Sequence, residues 1–120
     1  MAYDEDLADR IRELVADEPG LSERRMFGGL AFLINGNMAV SASGRGGIMV
    51  RVDPAGSDRL VSTTAATAME MAGRPVDGWV RVAAEHVRTK RQLATWVKRG
   101  TTQARSLPPK AKAKARRARG

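Results

Sequence analysis

The chain has 120 residues, no cysteine and a formal charge of +8. That length suits one domain around a single core, and the lack of cysteine excludes disulfide frameworks, thiolate metal sites and thiol nucleophiles. Six of the positive charges, Lys110, Lys112, Lys114, Arg116, Arg117 and Arg119, fall in the last eleven residues, and without them 15 basic residues face 13 acidic ones, so the globular part is nearly balanced.

The opening "MAYDEDLADRI" lacks the basic-then-apolar order of a secretory signal, and the longest strongly apolar run, Leu30 to Ile34, is far too short to span a bilayer. The expectation is a cytoplasmic protein with no membrane contact. Over residues 4 to 17, Leu7, Ile11, Leu14 and Val15 recur with helical spacing, and Asp4, Glu5 and Asp6 stand where the helix dipole favours negative charge. Pro19-Gly20 ends that helix. Phe27 to Ile34 then reads as a strand, Asn35-Gly36 as a two-residue hairpin turn with positive φ at both positions, and Met38 to Ser43 as the returning strand.

Gly44-Arg45-Gly46-Gly47 forms the next turn, and Ile48, Val50 and Val52 share one face of a third strand. Asp53-Pro54 reads as an N-cap followed by a first helical residue, opening a short helix to about Leu60 or Val61. Ala68 to Met71 is the fourth strand, Gly73-Arg74-Pro75 a turn, and a fifth strand starts at Trp79. Thr89-Lys90-Arg91-Gln92 has capping-box spacing, and Leu93, Trp96, Val97, Gly100 and Ala104 form the stripe of a last helix reaching about Ser106 before Pro108-Pro109. The expected class is therefore α+β in two layers, α-β(3)-α-β(2)-α, with a five-stranded antiparallel sheet. Residues 1–107 form the domain and 108–120 a basic tail that reads as disordered.

The candidates for chemistry are few. His86 is the one histidine, too little for a histidine metal cluster, and no G-x-S-x-G elbow presents a serine to it; it reads as a half-exposed residue at a strand-to-helix junction. Asp4, Glu5, Asp6 and Asp9 read as capping and solvated charges. The glycine-rich "GRGG" precedes a strand, where a phosphate loop precedes a helix, so it reads as a hairpin turn. Gly28 and Gly29 likewise read as a bulge or a close backbone approach. Met26, Met38, Met49, Met69 and Met71 read as core filling, and Trp79 and Trp96 as core anchors rather than base-stacking platforms. Arg25, Arg51 and Arg74, close to glycine turns, are the candidate anion contacts of the domain. No catalytic, cofactor or metal site is expected, and the six cations of the tail are the candidate nucleic-acid contacts.

Four blocks carry a family resemblance: "RRMFGGLAFLINGNM" from Arg24 to Met38, "GIMVRVD" from Gly47 to Asp53, "GRPVDGWVRV" from Gly73 to Val82, and the Leu93-Trp96-Val97 helix that ends at "ARSLPPK". In this order they resemble the N-terminal domain of the TfoX/Sxy family, named for a bacterial regulator of natural competence. The resemblance implies the same α-β(3)-α-β(2)-α arrangement, similar to secretion-chaperone-like domains, and a role in transcription beside another activator rather than in catalysis. It supplies no catalytic residue. Val76 stands where the family often has methionine, and in place of the family's second domain the sequence has only the basic tail.

The function expected from these features is a non-enzymatic regulatory or accessory protein. It binds a protein partner or a second copy of itself, and its tail adds weak, non-specific affinity for DNA or RNA. Two alternatives stand beside it: a small-molecule enzyme or ligand-binding module using Arg25, Arg51 or Arg74, and a homodimeric chaperone-like adaptor.

Overall fold

A computed structural model describes residues 4–26, 28–71 and 73–108. The order is α1 (Glu5–Val15), β1 (Leu21–Met26), β2 (Gly29–Ile34), β3 (Asn37–Ala42), β4 (Ile48–Arg51), a 3-10 turn (Pro54–Gly56) running into α2 (Ser57–Thr63), β5 (Thr67–Met71), β6 (Arg74–Val82), a second 3-10 turn (Ala84–His86) and α3 (Lys90–Arg105). All six strands join one antiparallel sheet in the order β1-β2-β3-β4-β6-β5. The fold is α+β, but with six strands where the sequence pattern gives five, so the element order is α-β(4)-α-β(2)-α.

The additional strand is β1, "LSERRM", which pairs with β2 from Leu21↔Ile34 to Met26↔Gly29. Its residues 22–25 are all exposed, so it has no apolar alternation to betray it. As an edge strand it carries Glu23, Arg24 and Arg25, charges that discourage pairing with another chain. The expected first strand began at Phe27, which lies outside the described residues. Gly28, with φ 77°, belongs instead to the tight connection between β1 and β2. The last strand also begins earlier than expected, at Arg74 rather than Trp79, and α2 runs to Thr63.

Local signals that involve backbone capping are realised as read. Asp4 accepts from the Leu7 amide at 3.1 Å, Asp53 from Ala55 at 3.0 Å, and Thr89 and Gln92 form a reciprocal capping box. Asn35 (φ 53°) and Gly36 (φ 85°) make the β2–β3 turn in the left-handed region, the geometry a two-residue hairpin demands.

Strand parity divides the sheet into two faces. Phe32, Val40, Ile48, Val50, Val80 and Val82 point toward α1 and α3 and pack with Ile11, Val15, Leu93, Trp96 and Val97 in the main core. Between Phe32↔Val40 and Leu33↔Met38 the register slips by one residue, which makes Ala39 the extra residue of a β-bulge. Both Ala39 and Val40 then sit on the helix side. Gly100 of α3 rests there: a Cβ on it would run into the Ala39 carbonyl oxygen and lie 3.3 Å from Val50 Cγ1. The glycine in the helical stripe is therefore a packing requirement.

Ion pairs fasten the edges. Arg12 on α1 grips Glu23 on β1 with two hydrogen bonds, 2.7 and 3.0 Å, and also pairs with Asp9. The bonds from Arg12 hold the Glu23 carboxyl below its ordinary value of 4.5.

Two outcomes follow. Gly100→Ala should gain about 1 kcal/mol of helix propensity yet lose about 1–3 kcal/mol to overpacking against β3, and urea unfolding should show a net loss; a variant as stable as the parent contradicts the close seat. Because Glu23 has a lowered folded pKa, its pairing stabilises the fold fully above the unfolded value and is lost as pH falls through the folded one. The stability gap between the parent and Glu23→Gln should thus be widest near neutral pH and shrink as the pH falls below the ordinary carboxylate range; a pH-independent gap counts against the pairing.

Candidate functional site

The sheet face turned away from the helices carries a second, smaller layer. Because Val50 and Val80 point inward, their neighbours Met49, Arg51, Trp79 and Arg81 point outward, and Arg51 stands directly opposite Trp79 in the β4–β6 register. The Arg51 guanidinium lies 4.4 Å from the Trp79 ring centroid, a cation–π contact, while its Nε donates to the Met38 carbonyl at 2.6 Å. Burial lowers its pKa. Beneath and beside this pair lies an apolar cluster of Ala31, Leu33 and Met38, with Met26 and Trp79 packed against it. Trp79 is therefore not an anchor of the main core, whereas Trp96 is, with 7% of its surface exposed.

The sequence-derived anion contacts are thus placed apart. Arg51 is engaged in holding the outer layer, Arg25 is exposed on edge strand β1, and Arg74 is exposed at the start of β6. His86 is exposed in the 3-10 turn before α3, with Nε2 3.9 Å from the Glu85 carboxylate. "GRGG" forms the β3–β4 turn, closed by the Ser43 amide donating to the Gly47 carbonyl at 3.0 Å. The tail residues Lys110, Lys112, Lys114, Arg116, Arg117 and Arg119 lie outside the described residues.

On the helix side, residues of α2 and α3 line an open groove of about 680 Å³. Its floor is apolar, from buried Val52 and half-buried Leu60, and its rim carries Arg59, Lys98 and Arg99. Arg99 is held in place over the Trp96 ring, 5.1 Å from its centroid. The one acidic lining residue, Asp53, uses a carboxylate oxygen to cap the turn before α2. The groove can therefore accept an apolar surface flanked by negative charge. Sequence reasoning missed it because its cations sit on two different helices; the available signal was the run Lys98-Arg99 directly after the Trp96-Val97 core pair.

Among the described residues no three His, Cys, Asp or Glu side chains are grouped to hold a metal ion, and no helix is long and apolar enough to cross a membrane. No curated protein matches the chain. The family described as the TfoX N-terminal domain, which is not a known enzyme family, matches residues 13–104. That span runs from within α1 to Ala104 near the end of α3, and includes the first three sequence blocks, the fourth as far as Ala104, the additional edge strand and both sheet faces; the chain belongs to the TfoX N-terminal domain family.

Proposed function

We propose that this protein is a regulatory or accessory factor that works by binding another protein through the groove between α2 and α3. The reading is carried by the groove itself: an apolar floor with three rim cations is suited to an amphipathic, acidic helix or strand of a partner. A second copy is a poorer occupant. The most acidic helix of this chain, α1, already buries its apolar stripe of Leu7, Ile11 and Val15 in its own core. The basic tail would add a sequence-independent affinity for DNA or RNA, tethering rather than selecting.

A photo-reactive residue at Thr95, on the groove rim, should give a discrete crosslinked species in the native cell. The species should be lost on Leu60→Asp and absent when the reactive residue is at Ser22 on the opposite edge. Equal labelling from both positions overturns the assignment. For the tail, log K for duplex DNA should fall against log salt with a slope of up to about −5 for six phosphate contacts. A chain ending at Pro109 should lose that binding, and equal or absent binding by both chains removes the tail from the proposal.

A further inference from the structure

The outer face of the sheet also contains a cavity of about 200 Å³ whose walls come from both ends of the sheet. Met26 belongs to β1 and Met69 to β5, the two edge strands. In a flat six-stranded sheet these strands lie about 24 Å apart. For both to line one small cavity, the sheet must curl into a trough with the cavity on its concave side. Gly29 contributes to the wall with bare backbone: a Cβ there would meet the Ala42 carbonyl oxygen, so no side chain reduces the space.

The lining is chemically divided. Met26, Met49 and Met69 supply flexible thioether walls, surfaces that adapt to an apolar body. Against them stand Arg45 from the β3–β4 turn and Arg81 from β6, together with Ser41 and Ser43. Arg81 donates one guanidinium N–H to Ser43 Oγ at 2.9 Å, and Ser43 Oγ also accepts from the Arg45 amide at 3.1 Å. With two bonds accepted, the Ser43 hydroxyl hydrogen remains to be donated. Ser41 is only 2% exposed, and its hydroxyl makes nothing better than a 3.4 Å contact to the adjacent Ala42 carbonyl.

Charge decides what these donors await. Neither arginine has a carboxylate within ion-pair distance among the described residues. Burial, and then the like charge of Arg45, push the Arg81 pKa down, the expected result when two cations share a partly dry site without an anion between them. The lining also includes one acid, the exposed Glu70, so two cations and one carboxylate leave a single positive charge for a ligand to neutralise. The volume equals about seven waters at bulk density, and an apolar cavity of about 150 Å³ accommodates benzene.

We propose that this concave cavity binds a small organic monocarboxylate of about the size of benzoate, its carboxylate between Arg45, Arg81 and Ser43 and its apolar body against the three methionines. The site lies on the opposite face of the sheet from the α2–α3 groove and stands or falls independently of it.

Benzoate is the probe, titrated into the full-length, isotope-labelled protein while amide resonances are followed. The expected result is saturable shifts at millimolar benzoate or below, centred on Ser41, Ser43, Arg45, Met49 and Arg81, with no response to neutral benzamide. Arg45→Gln, on an exposed turn outside the sheet ladder, should weaken binding at least about tenfold while keeping the parent spectrum, the cost of losing one charged contact. Arg81→Gln should do the same or more. Equal binding of benzamide, benzoate shifts confined to the tail or the α2–α3 groove, unchanged affinity in Arg45→Gln, or no saturable shift overturns the proposal.

Discussion

At the seat of α3 on the bulged strand β3 the two layers meet backbone to backbone, and that contact follows from what the sequence has to fill a core with. Aromatic residues make up only 4% of the chain, so the space between sheet and helices is filled largely by valine, isoleucine, leucine and alanine, with Phe32 and Trp96 as the large rings of the main core. Small side chains close a gap only if the backbones approach one another. The Gly100–Ala39 contact provides that approach, with Ala104, Ala39 and Ile34 in a compact cluster one turn further along the helix. The bulge turns Ala39 toward the helix beside Val40, so that two consecutive residues of β3 face α3.

With the central strands fixed this way, peripheral polar contacts locate the remaining elements. Arg10 on α1 donates to the Val87 and Arg88 carbonyls just before α3, at 3.0 and 2.8 Å. Arg105 at the other end of α3 pairs with Glu18 and reaches the Pro19 carbonyl at 3.2 Å. Buried Asn37 donates to the Pro108 carbonyl at 2.9 Å, holding the segment after α3 against β3. Each of these bonds joins segments more than seventy residues apart or brackets one end of a helix. They orient the helices on the sheet, while the apolar layer supplies the larger share of the stability.

Legibility in the sequence tracks the range of the interaction that decides each feature. The stripe of α1, the Asn35-Gly36 turn, the Asp53-Pro54 start and the Thr89–Gln92 box were readable because capping, turn geometry and periodicity act within a few residues. Strand β1 was not, since residues 22–25 owe their extended form to the ladder with β2 rather than to any apolar pattern of their own. The scarcity of aromatic residues points Trp79 to the core along with Trp96; its parity with Arg51 across the β4–β6 ladder puts it on the other face. The same parity places Arg81 in the concave cavity, while nearness to glycine turns drew attention to Arg25, Arg51 and Arg74.

The Met-Phe-Gly-Gly stretch shows how shape and charge divide between parts of this chain. Gly28 permits the tight connection from β1, and Gly29 clears the wall of the trough, so this glycine pair contributes space and curvature rather than anion-binding amides. The charges that face the same space come from elsewhere: Arg81 from the "GRPVDGWVRV" block and Arg45 from a turn outside all four blocks that carry the family resemblance. The blocks that carry the family resemblance therefore supply strands and turns of the sheet, including the glycine pair and Arg81, but not the second cation. What the concave face can recognise is set by Arg45, a single side chain on a turn, together with Arg81 and the serine hydroxyl it already holds.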